Sequence, residues 1–80
     1  MATVLRWKGL RIMIRTNDHR PEHVHVIGGG KEAVIVLNCP DGPPRLRENY
    51  GFGARDLMVI IDELGRQISG LCAEWERIHG

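Results

Sequence analysis

Apolar positions recur with period two through the first forty residues and with a helical period from about residue 54 onward. Leu10, Ile12 and Ile14 alternate with Arg11, Met13 and Arg15, as in a strand with one buried face. His23-Val24-His25-Val26-Ile27 alternates in the same way. Val4–Trp7 is a short run closed by Lys8-Gly9, a tight-turn pair. Ala33–Leu37 is apolar at both parities, as expected of a strand covered by neighbours. Between these runs lie Thr16–Glu22, with Asn17-Asp18 suited to a turn, and the flexible Gly28-Gly29-Gly30. Short connections of this kind predict an antiparallel meander.

Leu57, Ile61, Leu64, Ile68, Leu71, Trp75 and Ile78 then recur at spacings of four and three, with Ile60 and Cys72 widening the stripe. A single helix over Ala54–His79 would be about 37 Å long, whereas a six-residue strand spans about 20 Å. One helix would therefore overhang its sheet. The preferred arrangement is a bend or split near Gly65, so that both halves cover the sheet; the other is an overhang that meets a second copy. The predicted fold is α+β: a four-stranded antiparallel sheet, with room for a short fifth strand around Arg45–Glu48, and a C-terminal helix on one face. Residues 1–80 form a single domain, since a chain of this length holds one core.

Composition changes this picture little. With 42% hydrophobic and 26% charged residues the chain is globular rather than disordered. No apolar run approaches membrane-spanning length and no leader is visible, so the expected setting is the cytoplasm, with Cys39 and Cys72 as free thiols. Charge is more informative. Residues 1–31 carry six Lys/Arg against two acidic residues, and residues 32–80 carry five against eight. The basic half holds the histidines His19, His23 and His25, which makes an anionic partner plausible there.

Strand parity locates those histidines. With Val24 and Val26 facing the helix, His23 and His25 point to the opposite face, roughly 7 Å apart at ~3.3 Å per residue. Arg11 and Arg15 share that face, and His19 lies in the preceding loop beside Asn17 and Asp18. One reading is acid/base or phosphate-contacting chemistry by His19, His23 and His25, with Arg11 and Arg15 binding the anion and Asn17 and Asp18 in support. A second is a divalent metal on the same three histidines. A third is a structural role. The arginines repel a dication and attract an anion, which ranks phosphate above metal. Nucleic-acid recognition finds no stacking platform among four aromatic residues, and Gly28-Gly29-Gly30 lacks the Lys-Ser/Thr of a phosphate loop.

Ala2-Thr3-Val4-Leu5, the stretch Asn17-Asp18-His19-Arg20-Pro21-Glu22-His23-Val24-His25-Val26, Glu48-Asn49-Tyr50-Gly51-Phe52 and the Leu57–Trp75 stripe together resemble the bacterial domain-of-unknown-function family forty-one-sixty. The chain departs from that pattern at Glu22, where a second proline is common, and at Gly53, where a serine cap is common. The resemblance implies a toxin-like component of a toxin–antitoxin-type pair, with a small partner protein encoded nearby; the histidines and arginines gathered on one sheet face point that activity at RNA or another phosphate-bearing target. The alternative is a non-catalytic interaction module, with or without a metal at the histidines, or a homodimer through the C-terminal helix. Catalysis and simple binding both remain open at this point.

Overall fold

Two-residue turns set the path of the sheet. Lys8 and Gly9 both take positive φ (51° and 77°), as do Gly29 and Gly30 (58° and 75°), the backbone that tight hairpins of right-handed twist require. In a computed structural model, which describes residues 2–80, five strands follow one another across a single antiparallel sheet. They are β1 (Ala2–Trp7), β2 (Leu10–Ile14), β3 (His23–Gly28), β4 (Lys31–Val36) and β5 (Arg45–Tyr50). Gly28 belongs to β3, so the glycine turn is shorter than its three residues suggest.

The fifth strand is longer than the sequence reading allowed. All six residues of β5 are exposed, so no alternation of apolar and polar residues marks it; pairing with β4 makes it a strand. Its register shifts between the Val34–Glu48 and Ile35–Leu46 pairs, an irregularity of the bulge type. The turn out of β5 is held by Asn49, whose side-chain amide donates to the Phe52 carbonyl (2.9 Å) and whose Oδ1 accepts the Phe52 N–H (3.1 Å). Gly51 bends between them at φ 105°, in the region glycine favours. Replacing Asn49 by Ala removes both bonds at a junction that feeds buried Phe52 into the core. The expected cost is about 1–3 kcal/mol, read from urea unfolding; an unchanged midpoint would show that the backbone holds the turn alone.

The apolar stripe divides as the length argument required. Helix α1 spans Ala54–Arg66 and α2 spans Ile68–His79, each about 20 Å long or slightly less. The break falls at Gln67 (φ −101°, ψ 9°), two residues beyond Gly65. Leu57, Ile60, Leu64, Leu71 and Trp75 pack with Ile12, Ile14, Val24, Val26, Ala33 and Ile35 in one cluster, so both helices cover the same sheet face. Ile61, Ile68, Cys72 and Ile78 lie against its margin. The stripe is thus occupied by the chain's own sheet, while Met58 and Val59 of α1 are exposed.

One expectation fails. Cys39 and Cys72 are joined in a disulfide, with Cα atoms 5.9 Å apart, and no free cysteine remains. Both lie at the margin of the core, Cys39 in the loop after β4 and Cys72 on α2. Thirty-three positions separate them, a distance over which sequence spacing carries no pairing information. Among the described residues no helix is long and apolar enough to cross a membrane.

Candidate functional site

Partners across an antiparallel ladder share a face, so the register names the neighbours of the imidazoles. His25 stands between Met13 and Val34, and His23 opposite Val36. Val24 and Val26 belong to the helix-side cluster, and strand alternation sets His23 and His25 on the other face, although Trp75 of α2 still reaches the His23 ring. Their exposure is another matter. An open outer surface was expected, yet His23 and His25 are only 5% and 6% exposed. The loop between β2 and β3 folds back onto them and Asp18 meets both rings. Pairing of β2 with β3 ends at Met13–His25, and beside His23 the ring of core Trp75 approaches to 5.4 Å.

Several bonds fix that loop. Arg15 N–H donates to Asp18 Oδ2 (3.1 Å) and Asp18 N–H to the Arg15 carbonyl (3.1 Å), a turn closed on itself. Arg20 pairs with Glu22 (2.6 Å) and with Glu76 of α2 (3.1 Å). These exposed pairs contribute little energy singly, but they tie the loop to the helix. Leu37 N–H donates to the Glu22 carbonyl (2.9 Å), carrying the β3–β4 ladder one step further.

The partners of the two rings place a hydrogen on each Nδ1 and set each Nε2 against a carboxylate. His23 Nδ1 lies 2.8 Å from the Pro21 carbonyl and His25 Nδ1 lies 3.2 Å from Glu32 Oε2. A carbonyl and a carboxylate only accept, so both Nδ1 atoms carry hydrogen and donate. That turns both Nε2 atoms toward Asp18 Oδ2, at 3.4 Å from His23 and 3.1 Å from His25. Burial works to raise the Asp18 carboxyl, but the Arg15 N–H and the facing histidines outweigh it and hold the group below its ordinary value.

The fold gathers some of the expected residues and disperses others. Asp18, His23 and His25 present donor atoms within 4.8 Å of one another. His19 is exposed and stands outside this group, so Asp18 occupies the place a His19–His23–His25 metal set would assign to it. Arg15 reaches Glu32 (3.5 Å) and so joins the cluster through the carboxylate that His25 also meets. Arg11 is exposed and pairs across the sheet with Ile27, towards the other end of the strands.

Beside the cluster opens a cleft of about 510 Å³ with Asp18, His23 and Val36 in its wall. Asn17, His19, Arg20, Arg45 and Arg47 complete the lining. Arg45 pairs with Val36 and therefore lies on the histidine face; Arg47 follows two positions on, at the irregularity in β5. The guanidinium groups around the cleft are thus Arg20, Arg45 and Arg47 rather than Arg11 and Arg15. Sequence reasoning missed Arg45 and Arg47 because a possible short fifth strand carried no alternation to show which face they take, and Arg20 because its place depends on how the β2–β3 loop folds. Glu32 was missed as well, although β3–β4 pairing sets it opposite Ile27, two positions from His25. A second cleft of about 470 Å³, between the Lys8-Gly9 turn and α1, holds no histidine.

The chain is thus an antiparallel five-stranded meander, covered on one face by two helices and bearing a buried histidine–aspartate cluster on the other. It belongs to the family described as Domain of unknown function (DUF4160), whose model matches residues 9–76. No curated protein and no solved structure matches the chain.

Proposed function

We propose that this chain is a toxin-like domain of a toxin–antitoxin-type pair that acts on RNA or another phosphate-bearing target through the histidine-lined cleft. The observation that carries the reading is the cleft's lining: Arg20, Arg45 and Arg47 ring a space that His19 and His23 also border, against the single carboxylate of Asp18. Guanidinium forks suit phosphate oxygens, and imidazoles move protons near neutral pH. In this arrangement Arg45 and Arg47 hold the phosphate, and exposed His19 is the proton-transfer group that a bound substrate would reach. His23, engaged by Pro21 and Asp18, forms part of the wall, and His25 stands behind it against Asp18 and Glu32. A small partner protein encoded nearby, as the family resemblance implies, would silence the domain. An RNA target sets the action in the cytoplasm, where the Cys39–Cys72 bond is open to reduction.

Induced expression in a bacterial host is expected to slow growth and degrade cellular RNA. Unchanged growth with intact RNA would end the reading. For the purified chain, replacing Arg45 and Arg47 together by Ala is expected to lower affinity for single-stranded RNA tenfold or more. It should also flatten the dependence of log affinity on log salt by about 1.4, since each lost phosphate contact contributes about 0.7. Both arginines are exposed, so folding is retained. An unaltered salt slope would place the phosphate contacts elsewhere. The alternative, a non-catalytic interaction module, draws on Met58 and Val59, which leave an apolar strip open on α1; it predicts no RNA binding at all.

A further inference from the structure

Two ring nitrogens and a carboxylate oxygen converge beside the cleft, with Asp18 and His23 in its wall. The hydrogens of His23 and His25 are committed at Nδ1, to the Pro21 carbonyl and to Glu32. In neutral rings both Nε2 atoms then aim lone pairs at Asp18 Oδ2, an acceptor facing acceptors at 3.1 and 3.4 Å. Two buried nitrogens and a partly buried carboxylate repel one another in that state, unless a proton or a metal cation sits among them.

We propose that Asp18 Oδ2, His23 Nε2 and His25 Nε2 hold one divalent ion of the zinc class, with its remaining coordination position turned to the cleft. Bonds of 2.0–2.1 Å arranged tetrahedrally separate donor atoms by about 3.3 Å, and the two spacings to Asp18 bracket that value. Two imidazoles and a carboxylate are a donor set that zinc accepts, and three protein ligands with one open position is the arrangement of sites that bind water or substrate. The outer contacts agree. Metal-bound histidines usually donate their second N–H to a carboxylate or a carbonyl, and here Glu32 and Pro21 fill those places. Arg15 N–H in turn orients Asp18. The arginine charge near the site shifts from the places anticipated from sequence: Arg15 is paired with Glu32 and Arg11 stands apart. Of the cleft arginines, Arg20 is paired with Glu22 and Glu76 and Arg47 with Glu48, which leaves Arg45 as the main source of repulsion for a cation there. The site adds a cation to the same cleft, yet it rests on donor geometry alone and does not depend on the phosphate target.

Zinc titration of the untagged chain, stripped beforehand with chelator, tests this without any nucleic acid. One equivalent is expected to bind, and cobalt(II) in its place should give the intense visible bands of a tetrahedral site. Asp18→Asn should lower zinc affinity a hundredfold or more, and Glu32→Gln tenfold to a hundredfold through the orientation of His25. His19→Ala, at an exposed position, should leave affinity unchanged. A flat titration of the unmutated chain overturns the proposal whatever the variants do, and nitrogen NMR showing both Nε2 atoms protonated would identify a plain ion pair instead. Zinc binding that survives Asp18→Asn but is lost in His19→Ala also overturns it. Because RNA is absent from the assay, failure here leaves the phosphate reading standing, and failure of that reading leaves this one.

Discussion

Replacing Trp75 by Ala is expected to remove about 3–5 kcal/mol of folding stability, the range for truncating a fully buried large aromatic side chain. Trp75 is 1% exposed and belongs to the central cluster. Its ring stacks on His79 with centroids 3.9 Å apart and lies 5.4 Å from His23. A domain of this size has only about 4–12 kcal/mol in total, so the variant should sit near the edge of folding. The Trp75→Phe variant keeps most of the buried surface. It also removes Nε1, which is buried without a hydrogen-bond partner among the described residues, so a smaller loss is expected. Urea unfolding followed by circular dichroism measures both. Equal losses for Ala and Phe would mean that shape matters less than the structure implies, and a loss below about 1 kcal/mol for Ala would remove Trp75 from the core.

Breaking the Cys39–Cys72 bond is the second large effect. Closing a loop over thirty-three positions restricts the unfolded chain by about 3–4 kcal/mol on the loop-entropy account. The reduced chain should therefore unfold at lower urea by a corresponding amount, and a thiol count on the oxidised folded chain should return none. Coincident unfolding curves with and without reductant would show that the packing of α2 holds this end without the link. Because Cys72 precedes Trp75 by less than one helical turn, loosening it should also be felt where α2 meets the Arg20 loop through Glu76.

How far these features were legible in the sequence varies with the physics behind each. Periodicity carried the sheet and the helices, because burial on one face leaves a regular trace in residue choice: Ile12 and Ile14 on β2, Leu57 to Trp75 on the helices. The length mismatch between helix and strand carried the break, although Gln67 rather than Gly65 is where the helices part. β5 was foreseen only as a possible short strand over Arg45–Glu48, and its extent to Tyr50 escaped because an exposed edge strand needs no apolar alternation. At the site, parity gave the direction of His23 and His25, since pleating fixes it. Their burial was not legible: it depends on how the loop after Ile14 folds, and that is decided by Asp18, Arg20 and Glu76 acting across the chain. The same long-range contacts put Asp18 rather than His19 against the rings.

The outward side of β5 has a consequence for solubility. An edge strand leaves a rail of amide and carbonyl groups on which a foreign chain could zip and seed fibrils. Here the rail is charged at Arg45, Arg47 and Glu48, and its regular spacing is interrupted opposite Val34 and Ile35. Those side chains keep the border from recruiting stray strands while leaving it open to water and to a ligand approaching the cleft.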